Sequence, residues 1–299
     1  MSFKGLIIYN GFLSSPAFFD FANMLKETAT RRNHTIFLKK NDEILNELSS
    51  GNGEQFIKKY DYVLFTDKDI YLAERLEARG VPVFNRPRAI EISDDKIKTY
   101  IALEQNNIPI PKTIVAPKTF GLPLPLSSSY IERVIDKFGY PFIIKEAFGS
   151  FGEQVYLVED KEALLFYLQK VGGKPFLFQQ YISSSYGRDV RVQVVGDKVI
   201  AAMKRSASGD FRANVTKGGK MEPYEPNEYE KELAIAATKA IGAHFAGVDL
   251  LFGDGEKRYV CEVNSNAHIR NLLDCTSINV ASFIIELIEN EIAKVELKD

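Results

Sequence analysis

The segment from Phe245 to Asn266 holds Asp249, Glu262 and Asn264 within two stretches that read as strands, Phe245–Phe252 and Arg258–Val263. A turn at Gly253-Asp254-Gly255 joins them. If Phe252 pairs with Tyr259, counting back sets Asp249 opposite Glu262. Side chains on a strand alternate faces, so Asn264 shares the face of Glu262 if the strand continues. Cross-strand partners lie about 5 Å apart. The apolar neighbours Val248, Leu250, Val260 and Val263 predict partial burial, where two carboxylates so close repel each other. A hard divalent cation resolves the repulsion, and Asp, Glu and an amide oxygen suit Mg²⁺. The alternative is a solvated hairpin face with Asn264 opening a turn.

A second group is Phe142-Ile143-Ile144-Lys145, followed by the loop 146–153 with Gly149, Ser150, Phe151 and Gly152. A lysine ending a buried strand before a Gly/Ser loop can offer a phosphate one cation and several backbone N–H groups. The loop is not a Walker A motif, because Gly-Lys-Ser/Thr is missing. An ordinary hairpin turn is the other reading. The third group is Arg188, Asp189 and Arg191, then Lys204 and Arg205, then Arg212 and Asn214. Arg191 and Lys204 fall on strands expected to pair, and Arg212 and Asn214 share a face if their stretch is extended. Forked guanidinium donors match carboxylate and phosphate geometry, so the group suits a small anionic ligand. Surface ion pairs are the common fate of any one of these arginines alone. Of the three histidines, His268 is the one placed near a ligand. His34 reads as a solvated cap after a helix and His244 as packed in a sheet. Cys261 alternates away from Glu262 and reads as a small core residue.

The elements that must position these groups follow from periodicity. Short apolar strands at Gly5–Tyr9, Thr35–Leu38, Tyr62–Thr66 and Val81–Phe84 alternate with helices at Pro16–Asn33 and Ile70–Arg79, which predicts a largely parallel sheet. A helix over Asp94–Asn106, capped by Ser93, follows. Helices at Tyr130–Phe138 and Lys161–Gln169 flank strands at Pro141–Lys145, Gln154–Val158 and Phe176–Ile182. From Asp189 onward strands at Val190–Val195, Lys198–Lys204, Phe245–Phe252 and Arg258–Val263 sit close together in sequence, so that sheet reads as antiparallel. Helices cover Glu228–Ile241 and Ile278–Val295. A chain of 299 residues is too long for one small core. Its 38 basic and 40 acidic side chains give a net charge of −2, without the basic field that non-specific nucleic-acid binding needs. No apolar run approaches a membrane span. Two cysteines exclude a disulfide scaffold. The simplest location is the cytoplasm.

Five segments in this order, VPVFNRPRAIEISDDK (81–96), YPFIIKEAFGSFGEQV (140–155), LFQQYISSSYGRDVRVQVVGDKVIAAMKR (177–205), GDFRANVTKGG (209–219) and AGVDLLF with CEVNSN (246–266), resemble the ATP-grasp superfamily. Within it they look like the branch containing RimK and LysX, carboxylate–amine ligases. The resemblance implies an ATP-grasp fold of mixed α+β and α/β class. An N-terminal α/β domain spans 1–89, a central domain 90–182 and a C-terminal domain 183–299, the last two clamping ATP. It implies that Lys96 and Lys145 contact the nucleotide phosphates, with Ser150 and Gly152 in the loop above them. Gln180, Tyr181 and Ile182 would line the adenine pocket, and Asp189 and Lys204 would face the nucleotide. Arg191, Arg212 and Asn214 would meet the phosphates and the reacting carboxylate. Asp249, Glu262 and Asn264 would hold Mg²⁺, as two ions, with Mn²⁺ able to substitute.

The implied reaction passes the ATP γ-phosphoryl to a carboxylate, and an amine attacks the resulting acyl phosphate. Lysines, arginines and Mg²⁺ suffice for it without a covalent nucleophile. The partners would be an amino acid and a carboxylate on a peptide, protein or small molecule, and the assembly a homodimer or homotetramer. After Glu262-Val263-Asn264 the run Ser265-Asn266-Ala267-His268-Ile269-Arg270-Asn271 departs from the Ser-Pro-Gly of the glutamate-adding branch. His268, Arg270 and Asn271 are the candidates for substrate contact. Two alternatives stay open: a ligase of small molecules such as dipeptides or cofactors, and a non-catalytic ATP-binding module. A Rossmann dinucleotide enzyme is disfavoured, because Gly5 to Pro16 lacks Gly-x-Gly-x-x-Gly.

Overall fold

The computed structural model describes residues 2–13, 15–48, 57–119, 127–150, 152–213 and 219–296, in three sheets. The first sheet is parallel, in the order β2-β1-β3-β4, from β1 (Lys4–Tyr9), β2 (Thr35–Lys40), β3 (Tyr62–Phe65) and β4 (Val83–Phe84). The run Leu6-Ile7-Ile8 is buried on both faces of β1, as a parallel strand with helices above and below requires. Helix α1 (Pro16–Arg31) begins on a proline, whose missing N–H costs nothing there, and buries Phe21, Ala22 and Leu25. Helix α2 (Ile70–Glu77) is capped by the Asp69 carboxylate, which accepts from the Leu72 N–H. From β1 the chain passes to β2 on one side and then to β3 on the other. The carboxyl ends of β1 and β3 therefore flank a topological switch point.

The second sheet is antiparallel, in the order β5-β8-β6-β7, from β5 (Thr113–Val115), β6 (Phe142–Glu146), β7 (Val155–Val158) and β8 (Phe176–Gln180). Helices α5 (Ser128–Phe138) and α6 (Lys161–Val171) cover it, through Val134, Leu164 and Leu168 on Phe142, Ile144 and Phe178. The third sheet, in the order β11-β10-β9-β12-β13, joins β9 (Arg188–Val195), β10 (Lys198–Ser206), β11 (Lys220–Pro223), β12 (Phe245–Phe252) and β13 (Arg258–Asn264). Helix α7 (Glu228–Ala240) packs on one face through Leu233, Ala234 and Ala237. The C-terminal helix α9 (Val280–Glu296) returns to the first sheet, where Ile284 and Ile288 share a core with Ile7 and Leu25. Among the described residues no single helix is long and apolar enough to cross a membrane.

Several expectations are corrected. The helix expected over 94–106 is present as α4 (Lys96–Gln105), and a further helix, α3 (Pro87–Asp94), precedes it. The cap is Asp95, not Ser93: its carboxylate accepts from the N–H groups of Ile97 (2.8 Å) and Lys98 (3.3 Å). Ser93 lies inside α3, where its hydroxyl pairs with that of Ser265 at 2.7 Å. The helix expected over 278–295 is preceded by a separate α8 (Arg270–Thr276), and Ser277 in the left-handed conformation (φ 60°) separates the two. His34 is buried rather than solvated: α9 brings Glu289 to its Nε2 (3.0 Å) while the Tyr62 hydroxyl meets its Nδ1 (3.0 Å). The edge strands β5 and β11 were not anticipated. Both are short, and β11 is exposed enough to lack an apolar pattern.

One buried amide ties the first sheet to the third. Asn85, wholly buried after β4, donates from Nδ2 to the carbonyls of Phe245 (2.9 Å) and Ser265 (2.8 Å). Its Oδ1 accepts from the N–H groups of His244 (2.7 Å) and Phe245 (3.2 Å). Asn85→Ala leaves four backbone groups without this partner. The expected loss is on the order of 3 kcal/mol of unfolding free energy, read by urea denaturation. A change under about 1 kcal/mol would show that the amide does not hold the two sheets together.

Candidate active site

The third sheet places the carboxylates, by a route the turn alone does not predict. Phe252 pairs with Arg258 and Leu251 with Tyr259, one residue off the register assumed from the turn. A bulge between Asp249 and Leu250 then restores the pairing of Asp249 with Glu262 and of Gly247 with Asn264. Cys261 is the residue the bulge leaves outside the ladder. Its carbonyl accepts the Tyr100 hydroxyl of α4 at 2.6 Å, and its Sγ lies 3.6 Å from Lys145 Nζ. It is thus a junction beneath the site and not a plain core residue.

Asp249, only 4% exposed, is held by two arginines. Arg191 donates Nε and Nη2 to its two oxygens at 2.7 Å each, and Arg205 Nη2 donates at 2.8 Å. Arg205 also grips Asp189 at 2.7 and 2.6 Å. The four charges form one chain on a single face of β9, β10 and β12. This is where the expected roles shift. Asp189 and Arg191 are engaged within the protein, and Arg205, which the sequence reading grouped with Lys204 without giving it a role, bridges two buried carboxylates. Lys204 is corrected outright. It sits opposite Val190, on the other face of the sheet from Asp249, and pairs with Glu222 at 2.8 Å. Alternation along β10 makes Lys204 and Arg205 point oppositely, and only one of them can face the carboxylates.

The phosphate loop lies on the second sheet. Glu146 anchors its base, accepting from the Tyr156 hydroxyl (2.8 Å) and Lys174 Nζ (2.8 Å). Lys145, buried at the end of β6, donates to the Tyr100 hydroxyl at 3.0 Å. Lys96 opens α4 and donates to the Gly149 carbonyl at 2.9 Å. Burial pushes the Lys96 ammonium below its usual range, with Glu262 acting the other way. From the third sheet's side, Arg212 Nη1 reaches the Gly152 carbonyl at 2.7 Å, and its Nε pairs with Asp210 at 3.0 Å. Gly152 has φ +69°, and a Cβ there would come within 3.0 Å of Arg212 Cδ. The loop and the arginine thus interlock only because that residue is glycine. Ser150 lies 3.5 Å from Lys68 Nζ. Asn214 and Phe151 lie outside the described residues.

Gln180, Tyr181 and Ile182 follow one another out of β8, with the Gln180 N–H bonded to the Lys112 carbonyl (2.8 Å) and Tyr181 edge-on to Phe211. Of the substrate candidates, Arg270 is paired with Asp20 of α1 at 2.7 and 2.9 Å, and His268 packs edge-on against Phe18. Burial lowers the His268 pKa, so the ring is neutral at pH 7. Asn271 lies on α8.

Mg²⁺ would meet a donor set that fits it. Asp249, Glu262 and Asn264 project from facing positions of one hairpin, and among the described residues the buried Asn264 Nδ2 has no hydrogen-bond partner. Three guanidinium N–H groups already occupy the Asp249 oxygens, leaving about one of its four acceptor sites. Among the described residues no three His, Cys, Asp or Glu side chains form a metal cluster. A site of few protein oxygens completed by water and phosphate is what Mg²⁺ accepts and a structural zinc site does not.

The architecture is that of the ATP-grasp fold. A D-alanine–D-alanine ligase from Bacillus anthracis, solved with ATP, superimposes with TM-score 0.76 at 18% identity over 99% of both chains. A RimK-domain ATP-grasp protein from Sphaerobacter thermophilus superimposes with TM-score 0.71 at 21% identity, over 95% of this chain and 98% of that one. Residues 93–288 match the RimK-like ATP-grasp domain, and the chain belongs to that family of ligases. A Shewanella amazonensis protein named probable alpha-L-glutamate ligase 2 is 36% identical over 225 residues, 74% of this chain and 72% of that one. The beta-citrylglutamate synthase B of Danio rerio is 30% identical over 266 residues, 83% of this chain. The chain spans 64% of that synthase's length.

The arginine chain has a pH signature. Burial acts to raise the Asp249 carboxyl, but Arg191 and then Arg205 overcome it and hold it at about 2, against a usual 3.8. A depressed folded value means stability that is present above 3.8 and lost as pH falls through about 2. The Asp249 contribution is on the order of 2 kcal/mol, and Asp189, whose carboxyl burial raises above its usual range, acts in the opposite sense. Urea unfolding between pH 5 and 2 is expected to show a steep loss in wild type and a flatter slope in Asp249→Asn. Parallel slopes would mean that the pair does not stabilise the fold.

Proposed function

We propose that the chain is an ATP- and Mg²⁺-dependent carboxylate–amine ligase working through an acyl phosphate, with L-glutamate as the amine. The observation that carries this reading is the interlock of Arg212 with the Gly152 carbonyl, across from the Asp249, Glu262 and Asn264 hairpin. It joins the glycine loop, with two lysines beneath it, to an arginine from the side of the third sheet, which also carries the oxygen donor set. Glutamate is favoured because similar chains are named for joining it, an alpha-L-glutamate ligase and a beta-citrylglutamate synthase among them.

Mg²⁺, when held by Asp249, Glu262 and Asn264, would neutralise phosphate oxygens, as one ion or two, with Mn²⁺ able to replace it. Lys145 and Lys96 would bind ATP phosphates beneath the 146–153 loop. Lys96 and Arg212 both bind loop carbonyls now, and they would exchange those acceptors for phosphate oxygens when ATP enters. Gln180, Tyr181 and Ile182 would meet the adenine. The boundary near 89 would then separate the part that binds the amine from the two that hold ATP, which meet near 182. A closed loop protects an acyl phosphate from water, which otherwise hydrolyses it.

The test is a mass-resolved turnover assay with ATP, Mg²⁺, L-glutamate and pools of small carboxylic acids or acidic peptides. The expected product is lighter by one water than its summed reactants and appears with ADP. A product from a small acid identifies a small-molecule ligase, and one from a peptide a modifying ligase. Arg212→Ala is expected to lower kcat about 100-fold. ATP binding without ADP release under every pool would overturn the ligase reading.

A further inference from the structure

The carboxyl ends of β1 and β3, at the switch point, carry Asn10 and Asp67. Asn10 Oδ1 accepts from the N–H groups of Phe12 (2.8 Å) and Leu13 (3.1 Å), which fixes the amide, and Nδ2 then donates to Asp67 Oδ1 at 2.9 Å. The same oxygen takes the Lys68 N–H at 2.7 Å. Among the described residues the other oxygen of Asp67, in a residue only 6% exposed, is buried and has no donor. Beside it, Asn266 donates Nδ2 to the Asp67 carbonyl at 2.8 Å, and this bond fixes which end of its amide is oxygen. That oxygen is also buried and without a partner among the described residues.

Two buried acceptors on adjoining residues, with no donor, are a costly arrangement to leave empty. The missing group must supply more than one N–H and favour a negative neighbour, and a primary ammonium has three donors and a positive charge. The pair of acceptors also lies where the reaction would need an amine. Asn266 is two residues beyond Asn264 of the carboxylate hairpin, and Lys68, next to Asp67, reaches Ser150 of the phosphate loop at 3.5 Å. Burial raises the Asp67 carboxyl above its usual range, while the bonds from Asn10 and Lys68 act to lower it, so an arriving cation would be welcome there.

We propose that Asp67 and Asn266 form the subsite that grips the ammonium group of the amino-acid substrate, at the switch crevice of the first sheet. The proposal rests on the ligase reading and deepens it. Asp67 holds the amine through hydrogen bonds and charge, and Asn10 is the residue that aims its carboxylate. The alternative is a permanently protonated Asp67 that donates to Asn266 and has only a packing role.

The two readings separate in the intact chain. Amino-acid binding would be followed by saturation-transfer NMR with ADP and Mg²⁺ present, using a pool of the twenty L-amino acids, then L-glutamate against glutarate, which has the same carbon skeleton without the amine. Wild type is expected to bind L-glutamate at least about tenfold more tightly than glutarate, a factor worth about 1.4 kcal/mol. Asp67→Asn is expected to erase that preference and to leave ATP affinity, read by calorimetry, unchanged. The substitution removes a buried charge at nearly constant volume, so the free variant is expected to melt no lower than wild type. If Asp67→Asn keeps the wild-type preference, or if no amino acid of the pool binds wild type, the subsite is overturned, while intact ATP binding leaves the nucleotide reading standing. Binding of another amino acid, lost in Asp67→Asn, supports the subsite and removes only the choice of glutamate.

Discussion

The site depends on Arg205. It lies on one face of the third sheet, nearly buried, holds Asp189 through Nε and Nη2, and donates from the same Nη2 to Asp249. Without it, two carboxylates in a dry environment would repel each other, with only Arg191 to offset one of them. A buried chain of alternating charges is weak evidence of net stability, because each ion has lost its water. What it provides is position. Asp249 cannot turn away, because three N–H groups hold its two oxygens, and the hairpin partner Glu262 is therefore presented against a fixed charge.

A second dependence links the sheets. The bulge at Cys261 would weaken a plain hairpin, since it leaves a backbone carbonyl without a ladder partner. Tyr100 supplies the missing donor and in turn receives the Lys145 ammonium. One defect in the third sheet thus orients the phosphate-side lysine of the second. The bulge also corrects the register of the carboxylates. A strictly regular hairpin with this turn would carry Asp249 opposite Cys261, and Glu262 would face the other side.

Much of this was legible in the residues. The parallel and antiparallel halves followed from strand spacing, and the facing of Asp249 and Glu262 followed from alternation. That second result came through two compensating features, a turn register and a bulge, neither of which leaves a mark in composition. What the sequence withheld is long-range and polar. Arg205 looks like one more basic residue beside Lys204, and only strand alternation in a known sheet separates their fates. Asn85 sits in an unremarkable Phe-Asn-Arg-Pro run, yet it fills four bonds to a segment 160 residues away. Capping was misassigned at Ser93 because Ser and Asp are both good caps and two candidates stood within one turn. The capping aspartate, Asp95, could have been found by asking which residue precedes the first free N–H groups once Pro87 has started its own helix.

These polar ties lie mostly at one seam. Asn85 bonds Phe245 and Ser265, Ser93 bonds Ser265, and Asn266 bonds Asp67. Three contacts from the first 93 residues thus converge on the two residues that follow the carboxylate strand. A short turn gripped from so many directions has little freedom, and Asn264 just before it inherits that rigidity. The same grip couples the switch crevice to the hairpin: a ligand that shifts Asp67 pulls on Asn266, and through it on the end of β13. An apolar seam would hold the sheets together equally well but would let them slide, because dispersion contacts are not directional. Hydrogen bonds between fixed backbone groups and buried amides permit one alignment. For a reaction that must bring an amine and a carboxylate to within bonding distance, that single alignment is the property the seam supplies.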